Sequence, residues 1–308
     1  MEIVVRQISG LGNQLFQYAA GYYYAKKYGA RMRIATDPER KAYSHGDPRP
    51  YLLAKFDITA PSHEITAIEQ LLVSNRRLLW AASSIAKKAT GVQIIREPWD
   101  ERYTFHPELP IREGVQTIFL LGYWQVHSIA DSIASELRAE FNLTDSPQGL
   151  SCDLMNRIHE TPTAVSLHIR RGDYLQPSER NVVLPLSYYL GAIRTMQERF
   201  SKVTFFVFSD DIAYAREHLP RNIDLVFVDH NDSVSAHEDL WLMSRCDHHI
   251  IANSTMSWWG AWLNPSSEKI VLAPHHWRVG GSTESPDLLP PEWLLLDDNG
   301  NVTVPGKR

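Results

Sequence analysis

The chain of 308 residues holds only two cysteines, Cys152 and Cys246. Two isolated thiols exclude a disulfide framework and a thiolate metal site, so both are expected as buried free thiols in a reducing compartment. No apolar run approaches the ~20 residues that a membrane-spanning helix needs. The start, Met1-Glu2-Ile3-Val4-Val5-Arg6, enters a strand pattern directly and lacks the basic stretch and long apolar run of a secretory leader. Positive charge is not in surplus either: 31 Lys and Arg stand against 36 Asp and Glu, a formal net charge of −5. A nucleic-acid partner is therefore not expected, and an anionic ligand must be met by local positive charge. Internal repeats and low-complexity segments are missing too. What remains is a soluble globular composition, 44% hydrophobic and 22% charged, long enough for two domains.

The second half of the chain carries a regular pattern. Short apolar runs at 164–169, 204–208, 225–228, 249–252 and 269–273 alternate with helical patterns at 187–200, 212–219, 235–245 and 256–263. Nearly all-apolar strands that alternate with helices predict a parallel sheet covered on both faces. The first half begins the same way, with a strand at 2–8, a helix at 15–28, a strand at 31–35, another at 116–121 and a helix at 127–141. Residues 37–113 read as irregular. The turn-forming run Asp145-Ser146-Pro147-Gln148-Gly149 suggests a boundary. The expected architecture is α/β, two Rossmann-like domains facing a cleft, residues 1–148 and 149–308, with the last residues packing back on the first domain.

Parallel sheets bind ligands beyond the carboxyl ends of their strands, and those positions can be read off. The most informative is Leu167-His168-Ile169-Arg170-Arg171-Gly172-Asp173-Tyr174. Two adjacent guanidiniums at a strand end are costly unless an anion meets them, and the planar fork of arginine matches phosphate. Gly10-Leu11-Gly12-Asn13-Gln14 joins a strand to a helix, where glycine permits close approach and the helix start offers free N–H groups. A dinucleotide fingerprint would need glycine at Leu15; the alternative is a tight turn with Asn13 capping the helix. Asp210 and Asp211 end another strand, able either to bind a ligand or to cap the next helix; they lack Asp-X-Asp spacing, and no metal is expected. Glu238 and Asp239 lie near a helix start, where negative charge suits the dipole. Asn253-Ser254-Thr255 precede a helix that can receive a phosphate, and Trp258, Trp259 and Trp262 on that helix are expected in the core. Sequons occur at Asn142, Asn231, Asn253 and Asn301. A glycan on Asn253 would obstruct this site, which favours a cytoplasmic location.

In order along the chain, GLGNQLFQYA (10–19), GYWQ (122–125), HIRRGDY (168–174), LPLSYY (184–189), VFSDD (207–211) and ANSTMSWWGAWL (252–263) resemble the bacterial α-1,2-fucosyltransferases, glycosyltransferase family 11. The match spans most of the chain. The resemblance implies a GT-B fold, GDP-β-L-fucose as donor without cofactor or metal, inversion at the anomeric carbon, and a galactose 2-hydroxyl within an oligosaccharide as acceptor. It places Arg170 on the β-phosphate, with Arg171 supporting it or orienting the loop, and His168 on the nucleotide. Asp210, Asp211 or Asp239 would read guanine or ribose, and Asn253, Ser254 and Thr255 would meet phosphate. Gly12, Asn13 and Gln14 would face fucose or the acceptor hydroxyl. Asp173 is the nearest carboxylate for a general base, or else it locks the arginines while GDP oxygens take the proton. Tyr43, His45, Trp80, Trp99 and Tyr103 are candidates for stacking on the acceptor. A bacterial member would act at the inner face of the cytoplasmic membrane on a lipid-linked glycan. A fucosyltransferase of other linkage or with a protein acceptor, and a non-catalytic sugar-nucleotide or glycan-binding protein, remain the alternatives.

Overall fold

The computed structural model describes residues 1–37, 49–73, 91–98, 103–175, 182–278 and 287–303, without the side chain of Asp173. Tyr43, His45, Trp80 and Trp99 lie outside the described residues. The chain divides into two compact units, Met1–Asn142 with Ser285–Leu289, and Leu143–Glu284 with Pro290–Arg308.

The first unit is built on β1 (Glu2–Arg6), α1 (Leu11–Tyr28), β2 (Arg31–Thr36), β3 (Ser62–Glu64), α2 (Ala67–Val73), β4 (Val92–Arg96), β5 (Thr117–Leu121), α3 (His127–Ser132) and α4 (Ala134–Glu140). Its five strands pair in the order β3-β2-β1-β5-β4, all parallel. α1 lies close over the sheet: a Cβ on Gly21 would come within 2.2 Å of Val5 Cγ2, so only glycine permits this approach. The helix stops at Gly29, in the left-handed conformation at φ 57°, whose N–H bonds back to the last turn. The expected helix at 127–141 is broken at Ile133 (φ −131°, ψ 34°).

The second unit contains α5 (Gly149–Glu160), β6 (Ala164–Ile169), α6 (Leu186–Arg199), β7 (Thr204–Ser209), α7 (Ile212–His218), β8 (Asp224–Val228), α8 (Ala236–Arg245), β9 (His248–Ile250), α9 (Thr255–Leu263), β10 (Val271–Pro274) and β11 (Leu294–Leu296). The strands run in the order β11-β10-β9-β6-β7-β8, again all parallel. Every residue of β6 is buried, as a central strand between helical layers requires. Val165, Leu167 and Ile169 join Tyr188, Ile193 and Met196 of α6 in one core cluster. Phe206 and Phe208 face Leu242, Met243 and Cys246 in another. Trp258, Trp259 and Trp262 are core residues, as expected. Cys246 is buried, whereas Cys152 is only half-buried; both are free thiols.

Strand order sets the switch point of each sheet. In the second sheet, chain order reverses direction between β6 and β9; in the first, between β1 and β5. At such a switch point the loops leaving two adjacent strands diverge and open a crevice at their carboxyl ends. The loops concerned begin at Arg170 and Ile251 in one unit, and at Gln7 and Gly122 in the other.

Candidate active site

The rim of the second sheet is organised by two carboxylates from the end of β7. Asp210 Oδ1 accepts the Arg171 backbone N–H at 2.8 Å, and Asp210 Oδ2 lies 2.9 Å from Arg170 Nη1. The chain can come this close because residue 172 is glycine: a Cβ there would sit 2.6 Å from Asp210 Oδ2. Asp211 works through both oxygens as well. Oδ2 is 3.2 Å from Arg171 Nε, and Oδ1 accepts the N–H of Tyr214 at 3.1 Å, capping α7. Of the two alternatives left by the sequence, the helix cap is made by Asp211, whose other oxygen pairs with Arg171. The Arg171 guanidinium stacks on the Tyr214 ring, 3.5 Å from its centroid, and Arg170 stands 5.4 Å from the Tyr174 ring.

Beneath the pair, His168 is 6% exposed and its Nδ1 has no hydrogen-bond partner. Burial drives its pKa down to about 4; the Asp210 carboxylate opposes that shift and Arg170 adds to it. The ring is therefore neutral at physiological pH. Asp239, in the first turn of α8, receives an N–H from Asn231 Nδ2 at 2.7 Å. Burial raises its pKa to about 7, with Glu238 adding to the rise and the Asn231 bond opposing it. A carboxyl poised between its two states is characteristic of binding sites.

Across the switch point, Ser254 caps α9, its Oγ accepting the Met256 N–H at 3.3 Å, and Thr255 is the first helical residue. Asn253 is a brace. Its Nδ2 donates to Val182 O (2.9 Å) and Trp277 O (3.2 Å), and its backbone O accepts from the Tyr174 hydroxyl at 3.0 Å. Facing two carbonyls, that atom must be the NH2, which leaves Oδ1 buried and unpartnered.

In the first unit, the segment at 10–14 is itself the first turn of α1. Gly10 is the N-cap and has no side chain to offer. Asn13 is therefore not the cap; its Nδ2 donates to Ser9 Oγ at 2.9 Å, and its Oδ1 accepts from Gln125 Nε2 at 2.6 Å. Gly12 is buried in the helix. Gln14 spends its amide on backbone, donating to Ser9 O and Pro50 O and accepting from Leu52 N. Gln17 bonds Ile8 N and Gly122 O. These amides lock the loops after β1 and β5 together, and both loops hold a non-glycine residue with positive φ, Ser9 at 70° and Trp124 at 55°. Backbone strain of this kind persists where surrounding bonds over-determine it. Tyr103 is buried at φ 67°.

One polar cluster resembles a serine–histidine pair, but its hydrogen bonding argues against a base. Ser166 Oγ lies 2.8 Å from His249 Nδ1, and Asn264 Nδ2 lies 3.0 Å from His249 Nε2. An amide NH2 can only donate, so Nε2 is the acceptor and Nδ1 carries the proton. The imidazole thus has no lone pair for the serine. Burial also holds its pKa well below the usual value, with Lys269 and His248 adding to the shift. Among the described residues, no group of three or more His, Cys, Asp or Glu side chains is arranged to hold a metal ion. No helix among them is long and apolar enough to cross a membrane.

The model for glycosyl transferase family 11 matches residues 101–296. The chain belongs to this family. The O-antigen biosynthesis glycosyltransferase WbnK of Escherichia coli is 32% identical over 93% of this chain and 98% of its own length. An α-1,2-colitosyltransferase of Escherichia coli is 30% identical over 96% and 99%. Galactoside α-(1,2)-fucosyltransferase 2 of Mus musculus is 26% identical over 87% and 70%. Among solved structures, NodZ α-1,6-fucosyltransferase soaked with GDP-fucose aligns at a TM-score of 0.52 with 18% identity, over 86% of this chain and 92% of that one. A variant of Arabidopsis thaliana FUT1 in complex with GDP also aligns at 0.52, with 11% identity, over 94% and 74%. These likenesses show the fold, two Rossmann-type units of the GT-B class, and family membership makes the chain a glycosyltransferase.

Of the residues singled out in the sequence, the structure brings Arg170, Arg171, Asp210 and Asp211 together at one rim; three further residues, given no role there, shape it. Gly172, Tyr174 and Tyr214 make contacts there. A glycine directly after two arginines, and an aromatic three residues after an N-capping aspartate, were the available signals.

Proposed function

We propose that this family 11 glycosyltransferase moves L-fucose from GDP-β-L-fucose to the 2-hydroxyl of a galactose in a glycan. The observation that carries the reading is the pair of guanidiniums at the sheet's switch point, held in place by Asp210 and Asp211. The galactoside α-1,2-fucosyltransferases among the relatives support the acceptor and linkage.

A β-linked donor and an α-linked product differ in configuration, so a single displacement suffices. The acceptor oxygen forms its bond to C1 as the C1–phosphate oxygen bond breaks, and GDP leaves with the bonding electrons. Charge grows on the departing β-phosphate, and donors aimed there lower the barrier. Arg170 and the N–H groups at the start of α9, with Ser254 and Thr255, supply them; Arg171 supports them or orients the loop. Asp239 as carboxylate matches the N1–H and N2–H edge of guanine, and neutral His168, with its unpartnered nitrogen, meets the nucleotide. The acceptor proton goes to Asp173, whose side chain lies outside the described residues, or to a GDP oxygen. On the acceptor side, Asn13 offers its amide to a sugar hydroxyl. The acceptor is assigned as a lipid-linked glycan reached at the inner face of the cytoplasmic membrane by peripheral contact, a reading supported by the O-antigen relative.

A second reading, a colitosyl donor, is favoured by the relative matched over 99% of its length. The test incubates the protein with lactose, EDTA and either GDP-fucose or GDP-colitose, with linkage read by NMR. A 2′-fucosylated product is expected. Transfer from GDP-colitose alone would move the donor assignment, and GDP binding with neither transfer nor donor hydrolysis would leave a binding protein.

A further inference from the structure

We propose that Tyr214 is a positioning residue for the donor diphosphate, acting through Arg171; the inference rests on the GDP-sugar reading above. The Arg171 guanidinium lies 3.5 Å from the centroid of the Tyr214 ring. That is stacking distance, where cation and ring face attract best. The ring is backed on α7 by His218, whose imidazole stacks 4.1 Å away at 20°, with its Nδ1 3.0 Å from Tyr214 O. One carboxylate registers the two upper layers: Asp211 Oδ2 meets Arg171 Nε while Oδ1 holds the Tyr214 N–H. The backbone N–H of Arg171 is held by Asp210 Oδ1.

These contacts use the face and the Nε edge of the guanidinium. Its Nη1 and Nη2 have no partner among the described residues. A guanidinium fixed on its face and at Nε can present only its terminal fork, the edge that takes two oxygens of one anion. An arginine side chain otherwise has large rotamer freedom to lose on binding, and a stack formed in advance removes that loss from the binding step. Tyr214 also touches the apolar core around β7 and α6. Any apolar side chain would satisfy the core, but only an aromatic one serves the arginine.

The experiment separates the two roles. Affinities for GDP and for guanosine, donor KM, kcat and melting temperature are measured for wild type, Tyr214→Phe and Tyr214→Leu. Tyr214→Phe should match wild type. Tyr214→Leu should weaken GDP and raise donor KM about tenfold, with guanosine affinity unchanged, because guanosine has no phosphate for Arg171. In an Arg171→Ala background the same substitution should add nothing further. His218→Ala removes the lowest layer from an exposed site and should move GDP affinity the same way by a smaller factor, which covers a Tyr214→Leu protein that does not fold. The inference is overturned if Tyr214→Leu keeps wild-type GDP affinity, if it weakens guanosine as much as GDP, if its effect persists without Arg171, or, where that variant does not fold, if His218→Ala leaves GDP affinity unchanged. Wild-type protein that binds no GDP would overturn the donor reading along with it, and that measurement precedes every variant.

Discussion

Gly172→Ala tests the rim most directly. The added Cβ would stand 2.6 Å from Asp210 Oδ2 and 3.1 Å from its Cγ. Real Cβ contacts do not come so close, so the carboxylate must swing away or the loop must rise. Either movement breaks the contacts to Arg170 Nη1 and Arg171 N. Two such charge-assisted contacts are worth ~1.5–3 kcal/mol each when fully sheltered. The side chains of Arg170 and Asp210 are 20% and 24% exposed, so about 2 kcal/mol for both together is the better figure. At roughly 2–4 °C per kcal/mol, melting falls by several degrees. Activity should fall much further, because displacing a catalytic group by an ångström costs on the order of 100-fold. The assay is kcat/KM for transfer, alongside thermal unfolding. A second substitution identifies the cause: if the clash with Asp210 is responsible, Gly172→Ala with Asp210→Ala should be no worse than Asp210→Ala alone. Wild-type activity in Gly172→Ala, or fully additive losses in the double variant, would refute the reasoning.

Asp239 predicts a pH dependence of nucleotide binding. Its pKa is raised to about 7, chiefly by burial, and on the proposed assignment guanine needs the ionised form, so GDP affinity should rise with pH up to about 7 and level off above. At pH 6 it should be roughly tenfold weaker than at pH 8, and Asp239→Asn should flatten this profile. The stability effect has the opposite sign: the folded form holds the proton more tightly than the unfolded chain, so this group's contribution declines from about pH 4 to pH 7. Gly191→Ala on α6 would drive a Cβ to 2.5 Å from the backbone of Gly300, and chemical unfolding should show a net loss of about 1–3 kcal/mol despite alanine's better helix propensity. Ser166→Ala deprives the buried His249 N–H of its acceptor, so it should cost about 1–3 kcal/mol of stability and leave kcat unchanged; a large fall in kcat would make that cluster catalytic after all.

The second unit was legible because its central strands, β6, β9 and β10, are buried throughout. The run at 204–208 carries four successive apolar residues after Thr204, and in 164–169 only Ser166 and His168 interrupt the apolar residues, both of them buried with the rest of the strand; the switch point then follows from chain order. The middle of the first unit was not legible. β3 has three residues, Ser62–Glu64, none of them apolar, and exists only because β2 supplies its hydrogen bonds. α1 begins at Leu11 rather than Leu15 because Gly12, read as a loop residue, is buried in the helix. Tertiary packing there overrides low helix propensity. Asn13 and Gln125 are 112 positions apart, and no local pattern announces that pairing. Tyr214 was hidden for a related reason: an aromatic on a helix beside a core strand reads as packing, and only the geometry shows its other face.

The rim's charges are paired with one another, since Arg170 faces Asp210 and Arg171 faces Asp211. Two guanidiniums on adjacent residues would otherwise repel each other, and the carboxylates keep them ordered. The arrangement limits what the site attracts. A free anion meets no net local charge from these four side chains and must compete with Asp210 for Arg170, so phosphate contacts alone provide a small net gain. In the proposed binding mode the nucleoside contributes the difference, through Asp239 and the region of His168, and brings the diphosphate to the arginines at high effective concentration. Pyrophosphate should therefore compete with the GDP-sugar far more weakly than GDP does, by about 100-fold or more if each end contributes a few kcal/mol. Competition measured at fixed ionic strength decides it. Pyrophosphate that inhibits as well as GDP would mean that the arginines act as an open anion site and that the two aspartates do not restrain them.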